Sequence, residues 1–323
     1  MKTISVLITN ISYQAAGSFI KMLRNSKMYN VYIVGCDSIP KGYSSGSMLV
    51  DKFYHIPKGL DNDLYIEFVE RICDENKVDV ILSAEEQDLI LFKRAKLSQS
   101  AYDYISDEYI FNLFKDKHLA TIEMMKEDVI VPKTIYDMFE FNNSSCNKFI
   151  QRERISCSSR GIKIFDRTDV NLNYIFYNDK YITQEFIDGK MYTVDVICDK
   201  KGNPKAIIPR QSLSIKDGTT FKCIIENEKE IIGVCKKVYS KYLIPGISNI
   251  QFIVKNGIPY FIELNPRAAA TIIAASLVSI NFLDMYISHF FFNEKIPDLE
   301  DCMGQVHWNS VVSRYYQETV YLG

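Results

Sequence analysis

Residues 249–267, NIQFIVKNGIPYFIELNPR, restrict the fold more than any other stretch of the chain. Two apolar runs of strand length flank Lys255-Asn256-Gly257, a hairpin signal. Side chains alternate along a strand, so Glu263 and Asn265 share one face and Ile262 and Leu264 the other. Asn249 and Gln251 likewise share a face. Parity then decides what the hairpin can do. A two-residue Asn-Gly loop sets Gln251 opposite Ile262. An odd loop, or a bulge with a left-handed Gly257, brings all four polar side chains together. We expect the odd loop, because four neighbouring oxygen-bearing groups suit Mg²⁺. A solvated strand face is the alternative for a lone Glu-Leu-Asn. Arg267 and the uncharged run from Ala268 to Leu283 weigh against it. That run is expected to be a buried helix with room for phosphate near its N-terminus. Its 16 residues fall short of the roughly 20 that span a bilayer.

The first third reads as a doubly wound parallel sheet. ISVLIT (4–9), VYIVGCD (31–37) and VDVILSA (78–84) are strand-length apolar runs. Helical periods lie between them, around Phe19, Ile20 and Leu23, and at Leu64, Phe68 and Ile72. The opening residues suit a first strand better than a signal peptide. TNISYQAAG sits where a dinucleotide fingerprint would, yet holds only Gly17, which disfavours NAD. Ser106-Asp107-Glu108 marks a helix start, and that helix carries Lys115 and Lys117. Short strands follow between about 145 and 187. The chain then turns β-rich over 191–198, 204–210, 249–254 and 259–265, with a helix at 230–243.

A net charge of −2 gives no reason to expect nucleic acid or an anionic membrane as partner. The eight cysteines include no Cys-x-x-Cys pair, and the four histidines lack metal-ligand spacing. Reduced thiols and a cytoplasmic location are expected. RERISCSSRGIKIF (152–165) looks like a phosphate loop in which Ser156, Cys157, Ser158 and Ser159 replace glycines and only Gly161 remains. Alone, it reads equally as a polar turn.

Several segments occur in the order of the ATP-grasp superfamily: DK at 116–117, RERISCSSRGI at 152–162, QEFIDGKMYTVDV at 184–196, IPRQSL at 208–213, and NIQFIV with FIELNPR at 249–267. The version resembled is the carbamoyl-phosphate-synthase-like branch of carboxylate–amine ligases. The resemblance implies an α/β chain in three parts. They are a Rossmann-like domain over 1–112, a lid subdomain with its leading helix over 113–188, and an antiparallel catalytic subdomain, α+β in character, over 189–323. It implies ATP with two Mg²⁺ ions, Mn²⁺ remaining open, and small-molecule carboxylate and amine substrates. A homodimer stays open. The implied reaction makes an amide through an acyl phosphate, releasing ADP and phosphate. A degenerate nucleotide-binding protein without turnover is the alternative.

Position by position, the resemblance puts Lys117 and Arg152 on the α- and β-phosphates. Ser158, Ser159, Arg160 and Gly161 fall in the lid loop. Gln184, Glu185, Phe186 and Ile187 form the adenine hinge. Gln251, Glu263 and Asn265 are metal ligands, with Glu263 bridging. Arg267 steadies the γ-phosphate or the acyl phosphate, and Arg210 and Lys222 close over the reacting carboxylate. Asp195 is implied to support the metal network. Met191 stands where relatives carry a ribose-binding Glu. Glu85 and Glu86, in SAEEQD, are weighed as amine contacts against helix capping.

Overall fold

The structure is a computed structural model describing residues 1–83, 85–97, 106–156, 161–170, 175–216 and 218–322. The lid-loop residues Ser158, Ser159 and Arg160 lie outside the described residues.

The N-terminal unit contains β1 (Lys2–Thr9), α1 (Gln14–Arg24), β2 (Tyr29–Asp37), α2 (Gly46–Leu49), β3 (Lys52–His55), α3 (Asn62–Asn76), β4 (Val80–Ser83) and α4 (Glu86–Ala95). Its sheet runs β3-β2-β1-β4, all parallel. The expected strand–helix alternation is present. The short edge strand β3 went unread because four residues, KFYH, carry too little pattern.

The stretch expected as one helix with Lys115 and Lys117 is two, α5 (Glu108–Lys115) and α6 (Lys117–Lys126). Asp116 between them is extended, and its carboxylate accepts from the N–H groups of His118 and Leu119. An Asx side chain favours that N-cap geometry over continuing a helix.

The second sheet orders β5 (Thr134–Ile135), β8 (Tyr181–Glu185), β6 (Lys148–Glu153) and β7 (Lys163–Asp166), with α7 (Met138–Asn143) beside it. Its separate core is small, centred on Ile135, Phe141, Phe149 and Phe176.

The third sheet has six strands in the order β13 (Ile258–Asn265), β12 (Gly246–Lys255), β9 (Lys190–Cys198), β10 (Pro204–Lys216), β11 (Thr219–Ile225) and β14 (Val311–Ser313). One face, bearing Tyr192, Val194, Ile250 and Phe252, packs on α5, α6 and α8 (Lys229–Tyr242). The opposite face shares a core with the N-terminal unit through Ile197, Ile208 and Ile225. The uncharged run is not one helix. It splits into α9 (Ile273–Ser276) and α10 (Phe282–Phe290), and α11 (Leu299–Gly304) follows. Ser279 Oγ donates to the Ala275 carbonyl, and Asn281 accepts from Leu283 and Asp284 N–H, so side chains end one helix and cap the next. No helix begins at Arg267 to receive phosphate. Among the described residues, no helix is long and apolar enough to cross a membrane.

Candidate active site

The β12–β13 hairpin carries the centre of the site. Its turn is Asn256-Gly257 with both residues at positive φ, 52° and 78°, and Lys255 pairs with Ile258. The loop is therefore even, contrary to the expected odd loop. A β-bulge restores parity further along: Phe252 pairs with Phe261, but Gln251 pairs with Glu263, leaving Ile262 as the extra residue. Beyond it Asn249 faces Asn265, so the four polar side chains do share one face.

Those side chains floor a cleft of about 690 Å³, within the range of small-molecule sites. The adjoining strands add Met191 and Thr193 from β9 and Ser212 and Ile215 from β10. Ile150, Arg152 and Glu153 of β6 form the roof with Ile155, Ser156 and Ile162. Lys115 and Lys117 come from the α5–α6 junction, and Gln14 and Glu86 from the N-terminal unit. Arg267 and Thr271 complete the wall.

Asn265 Nδ2 donates to Glu263 Oε1 at 3.1 Å and to Asn249 Oδ1 at 3.2 Å. Asn249 Nδ2 in turn donates to the Arg267 carbonyl at 2.9 Å. The network orients the amides around the carboxylate, a hard-oxygen set that fits Mg²⁺. Arg152 is buried, and its Nη2 donates to Gln184 Oε1 at 2.5 Å. Its Nε has no hydrogen-bond partner among the described residues. Burial pushes this guanidinium's pKa down, while the Glu263 carboxylate pulls it back up. A buried cation with an unfilled donor beside a cleft fits a bound anion. Lys117, also buried, donates from Nζ to the Ser156 carbonyl at 3.0 Å, joining the helix junction to the lid loop. Among the described residues, four cations line one cleft with three carboxylates, Glu86, Glu153 and Glu263.

The structure thus brings Lys117, Arg152, Gln251, Glu263, Asn265 and Arg267 together. It does not bring in the other candidates among the described residues. Arg210 is wholly buried on the floor's own sheet face but outside the cleft lining, its Nε 2.6 Å and Nη2 3.2 Å from the Asp195 carboxylate. Asp195 holds the Arg210 guanidinium charged, and neither reaches the cleft surface. Lys222 is exposed and absent from the cleft lining, paired in β11 with Ser214 and Ser313. Gln184 is buried and supports Arg152. The N–H groups of Glu185 and Phe186 donate to the carbonyls of Lys133 and Lys148, and the Glu185 carboxylate accepts from Ser144 Oγ at 2.6 Å. None of residues 184–187 lines the cleft, and neither does Gly161, whose φ of 71° turns the chain into β7. Sequence reasoning gave no cleft role to Lys115, Thr271, Gln14 or Ser212. Only Lys115 carried a usable signal, a cation two residues before Lys117.

A cation-rich cleft between a small antiparallel sheet and a larger one, behind a parallel α/β unit, defines the ATP-grasp class of fold. Residues 114–271 match the ATP-grasp domain and residues 6–104 the PylC-like N-terminal domain, so the chain carries these two domains in sequence. It is similar to the D-alanine–D-alanine ligase of Flavobacterium psychrophilum, 28% identical over 192 residues, 54% of this chain and 56% of that one. It is also similar to the carbamoyl phosphate synthase large chain of Lachnoclostridium phytofermentans, 27% identical over 136 residues, 36% of this chain and 12% of that one. The chain spans about half the length of the first curated relative and a small part of the second. In fold it resembles the biotin carboxylase domain of Hydrogenobacter thermophilus 2-oxoglutarate carboxylase, solved with MgADP, ADP and bicarbonate. The TM-score is 0.68 at 14% identity, covering 95% of this chain and 73% of that chain.

Proposed function

We propose that the protein is an ATP-dependent carboxylate–amine ligase. The carrying observation is the convergence of Glu263, Asn265 and Gln251 with Lys117, Arg152 and Arg267 on one cleft. Two of the similar proteins named above support the reading, because a D-alanine–D-alanine ligase joins a carboxylate to an amine and the biotin carboxylase domain holds MgADP. Mg²⁺ would be held by Glu263 with Asn265 and Gln251, and when bound it neutralises phosphate charge.

Lys117 and Arg152 bind the phosphates of ATP, Arg152 through the Nε donor that its buried neighbours leave unfilled. Lys117 holds the Ser156 carbonyl and also lines the cleft, so one ammonium would serve both the bound phosphate and this stretch of backbone. Arg267 stands where the transferred phosphoryl group and the acyl phosphate carry charge. A substrate carboxylate oxygen bonds to the γ-phosphorus as the bond to ADP breaks. The amine nitrogen then bonds to the acyl carbon, phosphate leaves with the C–O electron pair, and the nitrogen sheds its surplus proton. The protein's task is positioning and charge neutralisation.

Glu263→Ala tests this reading. Mg²⁺-dependent ADP release, measured over a panel of acids and amines, is expected to fall about 100-fold or more with the fold retained. Full turnover in the variant at limiting Mg²⁺ refutes the assignment.

A further inference from the structure

One cleft carboxylate has no task in this scheme. Glu86, the first residue of α4, reaches in from the N-terminal unit with its side chain 21% exposed. Its Oε2 lies 3.7 Å from Arg267 Nε, beyond a good hydrogen bond. The other two cleft carboxylates are occupied differently. Glu263 accepts from Asn265, and Glu153 sits 3.5 Å from Lys180. Asp88, in the same helical turn as Glu86, serves the fold: it accepts from Thr9, Asn10 and Tyr65 at 2.6–2.8 Å. Glu86 has no comparable set of donors in the described structure. Burial pushes its pKa up, and the nearby Arg267 and then Lys115 pull it down. The cleft wall contributed by Gln14, Thr219 and Thr271 is polar but uncharged.

Resting on the ligase reading, we propose that Glu86 seats the ammonium group of the amine substrate, and that this substrate is a cationic aliphatic amine. An ammonium on Glu86 lies beside Arg267, and so beside any acyl phosphate that Arg267 holds. The ammonium gives one proton to the Glu86 carboxylate, and the neutral amine so formed has the lone pair that attacks the acyl carbon; a neutral aromatic amine gains nothing from the carboxylate.

The test uses the whole chain with Mg²⁺ and ATP. Hydroxylamine, largely uncharged near neutral pH, first traps the acyl phosphate as a hydroxamate over a panel of amino acids and sugar acids. The best acid is then paired with L-alanine, n-butylamine and aniline. Wild-type protein is expected to couple at least one of the two aliphatic amines and to reject aniline. Glu86→Gln is expected to raise the KM of that amine about tenfold or more. The KM for hydroxylamine and the affinity for ADP should move less than threefold, and Glu86→Asp should recover part of the loss. Equal coupling of aniline overturns the proposal, as does an unmoved amine KM. A parallel fall in hydroxamate formation also overturns it, because Glu86 would then act by orienting Arg267. A wild-type chain that forms no hydroxamate with any acid brings down the ligase reading itself, and this proposal with it.

Discussion

Met191 shows how much one residue decides in this cleft. It lines the floor beside Thr193 and pairs across the sheet with Ile253. On the proposed nucleotide-binding reading, the side chain is apolar where a ribose would need a hydrogen-bond acceptor. Met191→Glu is expected to leave the protein folded, because the position is only part-buried and opens to the cleft. One charge-assisted hydrogen bond to a ribose hydroxyl should tighten ATP about tenfold. Calorimetric titration checks this, and an unchanged Kd means that ribose is held elsewhere. The same scale shows the limits of positional reading. Arg210 and Asp195 both lie on strands whose polar residues feed the site, and their roles were implied by position in the resemblance. Their bidentate pairing beside the floor residues was invisible in sequence, because it depends on β9 and β10 aligning Ile208 with Asp195 and Arg210 with Thr193. Breaking that pair would strand a buried charge, which makes it a determinant of floor geometry instead of a reacting group.

At the scale of elements, the hairpin was legible and its register was not. Alternation along 249–265 announced which side chains could share a face. Whether they did depended on one extra residue, and nothing in the letters distinguishes Ile262 as a bulge from Ile262 as an ordinary pair. The bulge also has a consequence for the site, since both Ile262 and Glu263 reach the cleft. The break between α5 and α6 is a second such detail. Asp116 caps α6 and holds Arg154 with its Oδ2 at 2.6 Å, both side chains being largely buried. Burial pushes the Asp116 carboxyl up, but hydrogen bonds from Arg154 and from His118 and Leu119 N–H outweigh it and hold the pKa below its ordinary value. A depressed folded pKa means that the stabilisation is present above the unfolded value of about 4 and is lost as pH falls through the folded one. Asp116→Ala should therefore cost about 2 kcal/mol near neutral pH, from the cap and the pair together. Urea midpoints of wild type and variant should converge as pH is lowered from 7 toward 3. A gap that stays constant with pH means that the carboxylate charge contributes nothing at this junction.

Across the whole molecule, the N-terminal unit and the six-stranded sheet share one hydrophobic core, and the second sheet has another. Their shared core runs from Ile4, Val6 and Phe19 through Ile197 and Ile208 to Phe282 and Ile287. Polar ties reinforce it: Ser18 Oγ to the Ala270 carbonyl at 2.6 Å, Ser26 Oγ to Asp284 at 2.5 Å, and Thr219 Oγ1 to Gln14 at 2.7 Å in the cleft wall. The sequence revealed the parallel and antiparallel halves through their different periods, but a merged core leaves no periodic trace. The lid, by contrast, has a small core of its own, and Arg152 and Lys117 place buried cations between it and the floor. On the proposed reading, a ligand that carries both phosphate and cation would bridge the two cores, engaging Arg152 from above and Glu263 from below. Binding at 100 times Kd adds about 2.7 kcal/mol to stability, which for a chain of this size raises Tm by several degrees. MgADP should produce that rise in scanning calorimetry. ADP with a chelator should give a clearly smaller one, because the phosphates then meet Glu263 without an intervening cation. Glu263→Ala should abolish the difference between the two conditions while keeping some response to ADP through Arg152 and Lys117. An equal rise with and without Mg²⁺ in the wild-type chain means that the nucleotide does not reach the floor of the β12–β13 hairpin through a metal ion.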